Sequence, residues 1–287
     1  MRVAIVGVGA IGGALAGLLA RAGEHELVLC TRRPLPRLTV TWPEGETQVK
    51  ARNLTAPEQA GPVDWTIVAT KTYDAECAAR WFPALCAQGA PVAVVQNGVE
   101  HRERFLPYIA AERLLPVVIN YPVERSSDGQ VNVRGAGTMK VETGDLGRGF
   151  AALFAGTAAT VELVPDIVTV AWEKLCINAA GVLNPLTQKP NDVLWDEPVS
   201  TVAAEVVEEC AAVGRAEGAQ LRGEMGRRVL DHYRRLPADS INSLLADRLA
   251  GRRMEVDARN GVIVRKGREH GIATPLNQMA VALLESV

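Results

Sequence analysis

Short apolar runs rich in β-branched residues alternate with Ala- and Leu-rich segments through the first half of the sequence. Residues 2–6 and 26–31 have the composition of buried strands, and residues 10–21 between them favour a helix. A strand, a helix and a second strand within about thirty residues form the βαβ unit that a parallel sheet requires. Similar strand patterns at 66–70 and 91–95 extend the predicted sheet.

The pattern changes after Pro165. Before it, further strand patterns of mixed direction occur at 114–121, 130–134, 139–143 and 161–164. After it, helices are predicted at about 166–182, 198–219, 222–235, 239–250, 255–270 and 275–286. The sequence therefore predicts an α/β protein with two domains. Residues 1–165 form a Rossmann-like doubly wound sheet, and residues 166–287 form an all-helical domain.

Residues 3–20 contain no charged side chain, a run of eighteen that is long enough to suggest a signal peptide or a membrane helix. Gly9, Gly13 and Gly17 even follow the four-residue spacing of small residues in packed membrane helices. The run is nevertheless interrupted by Gly7-Val8-Gly9, and a second strand pattern follows it. Both features favour the βαβ interpretation, and no membrane association is expected.

The interruption belongs to the motif Gly7-Val8-Gly9-Ala10-Ile11-Gly12, a complete G-x-G-x-x-G between a strand and a helix. The first glycine allows a tight turn, the second lets the backbone approach a pyrophosphate, and the third lets the helix pack on the sheet. The helix N-terminus favours the negative phosphates. We therefore predict a dinucleotide site formed by Gly7, Gly9, Ala10, Ile11 and Gly12; the alternative is a packing turn without a ligand.

The end of the second strand indicates which dinucleotide binds. NAD-binding units usually have Asp or Glu there, to bond the ribose 2′-hydroxyl. This chain has Thr31-Arg32-Arg33 instead. A guanidinium matches a phosphate in charge and in geometry, so the sequence predicts NADP(H), with Arg32 as the contact to the 2′-phosphate. The alternative is that both arginines are solvated loop charges.

Composition narrows the classes of function. The chain has 287 residues and a formal charge of 31 − 33 = −2, with 48% hydrophobic residues. These values exclude a disordered chain and argue against a nucleic-acid binder. The five cysteines show no paired spacing, which is typical of reduced thiols in a cytoplasmic protein. The four histidines show no metal-ligand spacing, so no metal is predicted.

Two polar residues follow strand patterns directly, Lys71 after 66–70 and Asn97 after 91–95. In doubly wound sheets, ligands bind just beyond such strand ends. The helical half adds further candidates. Lys174 and Asn178 lie four residues apart and so share a helix face. Taken singly, however, an Asn is most often a cap or turn residue, and a lone Lys on a helix is most often solvated.

Several motifs together, spread over nearly the whole chain, resemble the ketopantoate reductase family. They are the glycine motif at 7–12, Lys71, Gln96-Asn97-Gly98, Trp172-Glu173-Lys174-Leu175, Asn184-Pro185-Leu186-Thr187, Asn242-Ser243-Leu244-Leu245-Ala246-Asp247 with Glu255, and the run 267–275. The resemblance implies NADPH-dependent reduction of a 2-keto acid to a 2-hydroxy acid. The type reaction converts 2-dehydropantoate to D-pantoate. It also implies cofactor binding by 1–165, and substrate binding with homodimer formation by 166–287.

The resemblance further implies a role for each site residue. Lys174 is the general acid, and Glu255 orients it or a substrate hydroxyl. Ser243 bonds the substrate carboxylate, and Asn97 holds both the substrate and the nicotinamide. Lys71 lies near the cofactor or pairs with Glu255. The two helix asparagines, Asn178 and Asn184, belong to the substrate site.

One spacing departs from the family pattern. Asn178 and Asn184 are six residues apart, whereas the family places its two asparagines four apart. Either the helix bulges or ends early, or Asn184 has lost its role. The shift leaves open a same-fold reductase of a different ketone in specialised metabolism. A non-catalytic NADP(H) sensor is the other alternative. A sensor would not need Lys174 and Glu255, so the presence of both residues speaks against it.

Overall fold

The computed structural model describes residues 1–127 and 129–287, which form two compact units. The first unit consists of Met1–Gln96 and Glu100–Ile167. The second consists of Val168–Val287 together with the short segment Asn97–Val99. Asn97, one of the predicted site residues, therefore belongs with the helical part of the chain.

The first unit contains all of the described strands and four short to medium helices. The strands are β1 (Arg2–Val6), β2 (Glu26–Cys30), β3 (Thr39–Trp42), β4 (Gly45–Gln48), β5 (Arg52–Leu54), β6 (Trp65–Val68), β7 (Val92–Val94), β8 (Leu114–Asn120), β9 (Val123–Ser127), β10 (Gln130–Val133), β11 (Thr138–Glu142) and β12 (Thr160–Val164). The helices are α1 (Ala10–Ala22), α2 (Ala75–Ala79), α3 (Phe82–Leu85) and α4 (Asp145–Leu153).

Eight strands form the main sheet, in the order β5-β2-β1-β6-β7-β8-β11-β12. The first six run parallel, and β11 pairs antiparallel with β8. This parallel order is that of dinucleotide-binding sheets, whose strand order reverses between the first and fourth strands in sequence. The reversal here lies between β1 and β6, beside the glycine motif. The predicted Rossmann-like sheet is confirmed.

Burial on both faces of the sheet explains the absence of charge in the first strand. Val3 and Ile5 face a core shared with α1, whereas Ala4 and Val6 face a second core that contains Phe82 of α3. Strands covered on both faces read as continuous apolar runs rather than alternating ones. The charge-free segment 3–20 is thus a buried strand followed by a buried helix. None of the described helices is long and apolar enough to span a membrane.

A second sheet, of which the sequence predicted only the strand at 130–134, packs on α1. Its order is β4-β3-β10-β9. A Cβ atom added to Gly13 would lie 2.7 Å from Val131 Cγ2, and one added to Gly17 would lie 2.8 Å from Val40 Cγ2. Since neither distance is acceptable for a real side chain, both glycines are needed for the helix to approach this sheet. The small-residue spacing thus serves helix-to-sheet packing.

The second unit is helical throughout its regular elements, as predicted. Its helices are α5 (Ile167–Ala180), α6 (Leu183–Thr187), α7 (Val199–Ala216), α8 (Met225–Arg234), α9 (Ser243–Leu249), α10 (Val262–Glu269) and α11 (Pro275–Glu285). A π-helical segment, Asp257–Gly261, precedes α10. Three predicted helices differ in detail: the one at 166–182 ends at Ala180, the one at 239–250 begins at Ser243, and the one at 255–270 begins with the π-helical segment. The short helix α6 was not predicted.

Candidate active site

The three motif glycines have the geometry that their positions in a dinucleotide loop require. Gly7 has φ +93°, and a Cβ there would lie 2.6 Å from Thr70 Cγ2. A Cβ on Gly12 would lie 2.0 Å from the carbonyl oxygen of Gly7, so only glycine lets α1 start this close to the loop. Gly9, in contrast, has open space beside its Cα, with no atom within 4 Å of an added Cβ. Only the middle glycine therefore faces room for a ligand.

The start of α1 suits a phosphate group. The N-cap residue is Gly9, which has no side chain to occupy the first free N–H groups, and the first turn contains no acidic residue. Ala10 and Ile11 begin the helix, where backbone N–H groups lack intrahelical acceptors and the helix dipole favours negative charge. The loop and helix thus fit the pyrophosphate of a dinucleotide.

Arg32 lies in the loop after β2 and is 81% exposed, so its guanidinium is available to a ligand. Its Nη1 forms an ion pair with Asp74 Oδ1 at 3.3 Å. An exposed pair of this kind contributes little stability, because water and salt screen it. A phosphate could therefore displace or share the Asp74 contact at small cost.

The loops after β6 and β7 are tied together by one buried amide. Gln96 Nε2 donates to the carbonyl oxygen of Thr70 and to Thr70 Oγ1, each at 3.1 Å, and lies 3.3 Å from the carbonyl oxygen of Lys71. These bonds fix the backbone of Lys71 at the carboxyl end of β6. The predicted cofactor-side residues Gly7, Arg32 and Lys71 all follow strands of the first unit.

Helix α5 positions Lys174 and Asn178 in the second unit. Leu175, Cys176 and Ala179 are buried in the helical core, whereas Lys174 and Asn178 lie on a face that is only partly buried. The two predicted residues therefore share one face, as their four-residue spacing requires.

The surroundings of Lys174 make its ammonium more acidic than that of an ordinary lysine. Burial lowers the pKa of its ammonium, and the nearby Arg259 cation lowers it further; Glu255 acts in the opposite direction, and the resulting pKa is about 8. A group with a pKa close to neutral pH can give up a proton and recover it readily. Lys174 thus has the acidity that a general acid needs.

Glu255 and Asn97 meet although they lie far apart in the sequence. Asn97 Nδ2 donates to Glu255 Oε2 at 3.2 Å, and Glu255 is only 5% exposed. A buried carboxylate is held in one orientation by such a bond. Since Glu255 also acts on the charge of Lys174, the second unit brings together Lys174, Glu255 and Asn97.

Ser243 is the first residue of α9, and a buried amide network holds this helix start. The N-cap Asn242 accepts from the Leu245 N–H at 3.0 Å, and its Nδ2 donates to Asn184 Oδ1 at 2.8 Å. Asn184 is fully buried, and its own Nδ2 donates to the carbonyl oxygens of Lys189 and Pro190. Helix α5 thus ends at Ala180, four residues before Asn184, and the Asn184 amide is bonded to protein groups.

Side chains from distant segments cap the end of α5. Helix carbonyls in the last turn lack intrahelical donors and need such partners. A Cβ on Gly181 would lie 2.7 Å from Asn242 Nδ2, so this residue must be small. Four side chains donate to carbonyl oxygens at this helix end: Tyr233 Oη to Ile177 at 2.9 Å, Arg259 Nη2 to Asn178 at 2.6 Å, Asn260 Nδ2 to Ala179 at 3.3 Å and Asn242 Nδ2 to Gly181 at 2.7 Å.

Arg259 is the site residue that the sequence prediction missed. It lies in the π-helical segment and is 2% exposed. Besides its bond to Asn178, its Nη1 lies 3.4 Å from Ser243 Oγ. The available signal was its position four residues after Glu255, which places a second charge on the same helix face.

Two family models match the chain. The model described as "Ketopantoate reductase PanE/ApbA" matches residues 3–145, and the model described as its C-terminal part matches residues 166–287. A 2-dehydropantoate 2-reductase of Caulobacter vibrioides is 48% identical over 284 residues, which cover 99% of this chain and 98% of that protein.

Solved structures have the same fold. A PanE/ApbA family ketopantoate reductase from Ralstonia eutropha JMP134 has a TM-score of 0.91 and 33% identity, covering 100% of this chain and 98% of that one. A dimeric ketopantoate reductase from Staphylococcus aureus has a TM-score of 0.88 and 21% identity, also covering 100% and 98%. Both neighbours therefore share the fold of this chain over its whole length.

Proposed function

The chain belongs to the ketopantoate reductase family, and from this premise we propose that it reduces 2-dehydropantoate to D-pantoate with NADPH. The observation that carries the proposal is the Lys174 ammonium, whose pKa is lowered by burial to about 8 and which lies near the Glu255 carboxylate. The name of the Caulobacter relative, at 48% identity over almost the full length of both chains, supports this substrate.

The first unit binds the cofactor in this proposal. The backbone of Gly7, Gly9, Ala10, Ile11 and Gly12 holds the pyrophosphate at the start of α1. When bound, the nicotinamide supplies the hydride. In the same unit, Arg32 contacts the 2′-phosphate, and Lys71 lies at the carboxyl end of β6, among the residues assigned to the cofactor.

The second unit supplies the proton. Lys174 Nζ donates it to the keto oxygen as the carbonyl carbon receives the hydride, so the ketone becomes a hydroxyl and the ammonium becomes an amine. The amine regains a proton from water before the next turnover. Glu255 keeps the ammonium oriented, and Asn97 holds Glu255 in place through the bond between their side chains.

The remaining residues hold the substrate. Ser243 donates its hydroxyl proton to the substrate carboxylate, and the amides of Asn97 and Asn178 bond the polar groups near the keto carbon. We assign Asn184 a supporting role at the start of α9, because its amide bonds Asn242 next to Ser243. These assignments make the site a binding pocket for a small 2-keto acid.

An NADPH-oxidation screen across 2-keto acids tests the function. We expect 2-dehydropantoate to have the highest kcat/KM, since the family and the Lys174 site both fit it. A larger kcat/KM for another ketone would favour a same-fold reductase of a different substrate. Binding of NADPH without turnover of any 2-keto acid would instead favour the non-catalytic sensor and contradict the proposal.

Two properties of the whole protein complete the proposal. We propose a homodimer because the Staphylococcus aureus neighbour is described as dimeric, and mass measurement in solution tests this. We propose a cytoplasmic location, because the five cysteines show no paired spacing in the sequence and all five are free thiols in the structure.

A further inference from the structure

Arg259 connects two of the residues that the proposed function assigns to the substrate. We propose that Arg259 is a positioning residue that turns the Ser243 hydroxyl toward the substrate carboxylate and so makes the site selective for 2-keto acids over neutral ketones. The inference rests on the proposed function, because it concerns the substrate class of that same site.

The guanidinium bridges two helices of the second unit. Nη2 donates to the carbonyl oxygen of Asn178 on α5 at 2.6 Å, and Nη1 lies 3.4 Å from Ser243 Oγ at the start of α9. Arg259 is 2% exposed, and its buried Nε has no hydrogen-bond partner among the described residues. A buried arginine in this state carries a positive charge that the bonded groups do not neutralise, because both are uncharged.

The chemistry of the two side chains fixes the direction of the hydroxyl. A guanidinium has five N–H donors and no acceptor, so Ser243 Oγ accepts a hydrogen bond from Arg259. The Ser243 hydroxyl proton must then point to another group, and a hydroxyl that accepts from a cation is a stronger donor. A carboxylate is acceptor-only, and it therefore suits this donor, whereas a neutral ketone substituent offers a weaker acceptor.

The charges around Arg259 add to this selectivity. Two carboxylates from separate segments act on its positive charge, Glu255 and Asp247 on α9, whereas Tyr233 on α8 is neutral because burial raises its pKa to about 12. Asp247 is paired with Arg252, whose Nε lies 2.9 Å from Asp247 Oδ1. Lys174 and Arg259 thus place two cations in this part of the second unit, beside the Glu255 carboxylate. A substrate anion is attracted to these cations, and a neutral ketone is attracted far less.

A purely structural role for Arg259 predicts something different. As a cap of α5, the arginine stabilises the helix end, where cations are favoured. Loss of a cap lowers the stability of the fold and weakens the binding of every substrate to the same extent. A positioning role instead discriminates between substrates with and without a carboxylate, and it also changes the titration of Lys174, which faces both Arg259 and Glu255.

The test compares 2-dehydropantoate with its neutral lactone, which has the same keto group without the carboxylate. For Arg259→Met we expect KM for the acid to rise by about tenfold or more, and KM for the lactone by less than about threefold. The alkaline limb of the kcat profile should move to higher pH, since removal of the cation raises the pKa of Lys174. Arg259→Lys keeps the charge and should leave this limb unchanged.

Tyr233→Phe is the matched control, because it removes a neutral hydrogen bond to the same end of α5. It should lower the melting temperature and leave the acid-to-lactone ratio of KM unchanged. Equal rises for acid and lactone in Arg259→Met would overturn the proposal. If Arg259→Met does not fold, Arg259→Lys is the deciding variant. A loss of its preference for the acid, with an unchanged alkaline limb of the kcat profile, supports the positioning role. Wild-type selectivity in this variant contradicts it.

Failure of the proposed function is a separate outcome. It appears as an absence of 2-dehydropantoate turnover in the wild-type enzyme, before any variant is made. The Arg259 test is then the change in acid preference between wild type and variant on the 2-keto acid that the enzyme does reduce. An unchanged preference on that substrate would overturn the Arg259 role as well.

Discussion

Replacement of Lys174 by methionine is expected to lower kcat by about 10²–10⁴-fold, the usual contribution of a general acid. Methionine has a similar length but no proton to donate, so the alkoxide that forms on hydride transfer would have no acid beside it. The affinity for NADPH should stay unchanged, because the residues that we assign to the pyrophosphate and the 2′-phosphate lie in the first unit. Steady-state rates and a fluorescence titration with NADPH measure the two quantities.

Lys50→Met is the matched control for this substitution, because Lys50 is exposed and lies outside the site. It should keep the wild-type kcat. A Lys174→Met enzyme with kcat within about threefold of wild type would remove the acid role, since general-acid catalysis contributes much more than that.

Replacement of Arg32 by alanine is expected to weaken NADPH binding by about 10–100-fold and NADH binding much less. The estimate follows from about 1.5–3 kcal/mol for a hydrogen bond to a charged group, with 1.4 kcal/mol for each factor of ten. Only NADPH carries the 2′-phosphate that the guanidinium matches. The dissociation constants of both cofactors for the wild-type and variant proteins test the prediction.

The adjacent Arg33 offers a control of equal charge. Arg33→Ala removes a second exposed arginine from the same loop and should change the NADPH-to-NADH ratio less than Arg32→Ala. Asp74→Asn should slightly tighten NADPH binding, because Asp74 competes for the Arg32 guanidinium. Equal losses of NADPH and NADH affinity in Arg32→Ala would show that Arg32 does not contact the 2′-phosphate.

The first βαβ unit could be predicted because its signals are local. The charge-free run at 3–20 contains a strand, a glycine turn and a helix, and each has its own composition. The second sheet could not be predicted in this way. Its strands β3 and β4 have only four residues each. Strands β4 and β9 are mostly exposed, so these two strands lack an apolar pattern. They form because Gly13 and Gly17 leave room for them on α1.

The candidate site depends on contacts between residues that are distant in the sequence. Asn97 and Glu255 are 158 residues apart, and Asn178 and Arg259 are 81 apart. No local pattern reveals such pairs, and family resemblance supplied Glu255 but not Arg259. The early end of α5 was one of the alternatives that the Asn178 and Asn184 spacing left open, together with a bulge and a lost role for Asn184. Helix α5 ends at Ala180, and the bond from Asn242 Nδ2 to the Gly181 carbonyl oxygen again joins residues distant in the sequence.

The pH dependence of kcat/KM for 2-dehydropantoate tests the role of Lys174 most directly, because kcat/KM reports the free enzyme. The pKa of Lys174 is lowered to about 8, and a general acid must be protonated to act. We expect a constant kcat/KM below this pKa and a tenfold fall for each pH unit above it, with no such fall in Lys174→Met. A flat profile through pH about 10, the ordinary lysine range, or the same limb in Lys174→Met would contradict it.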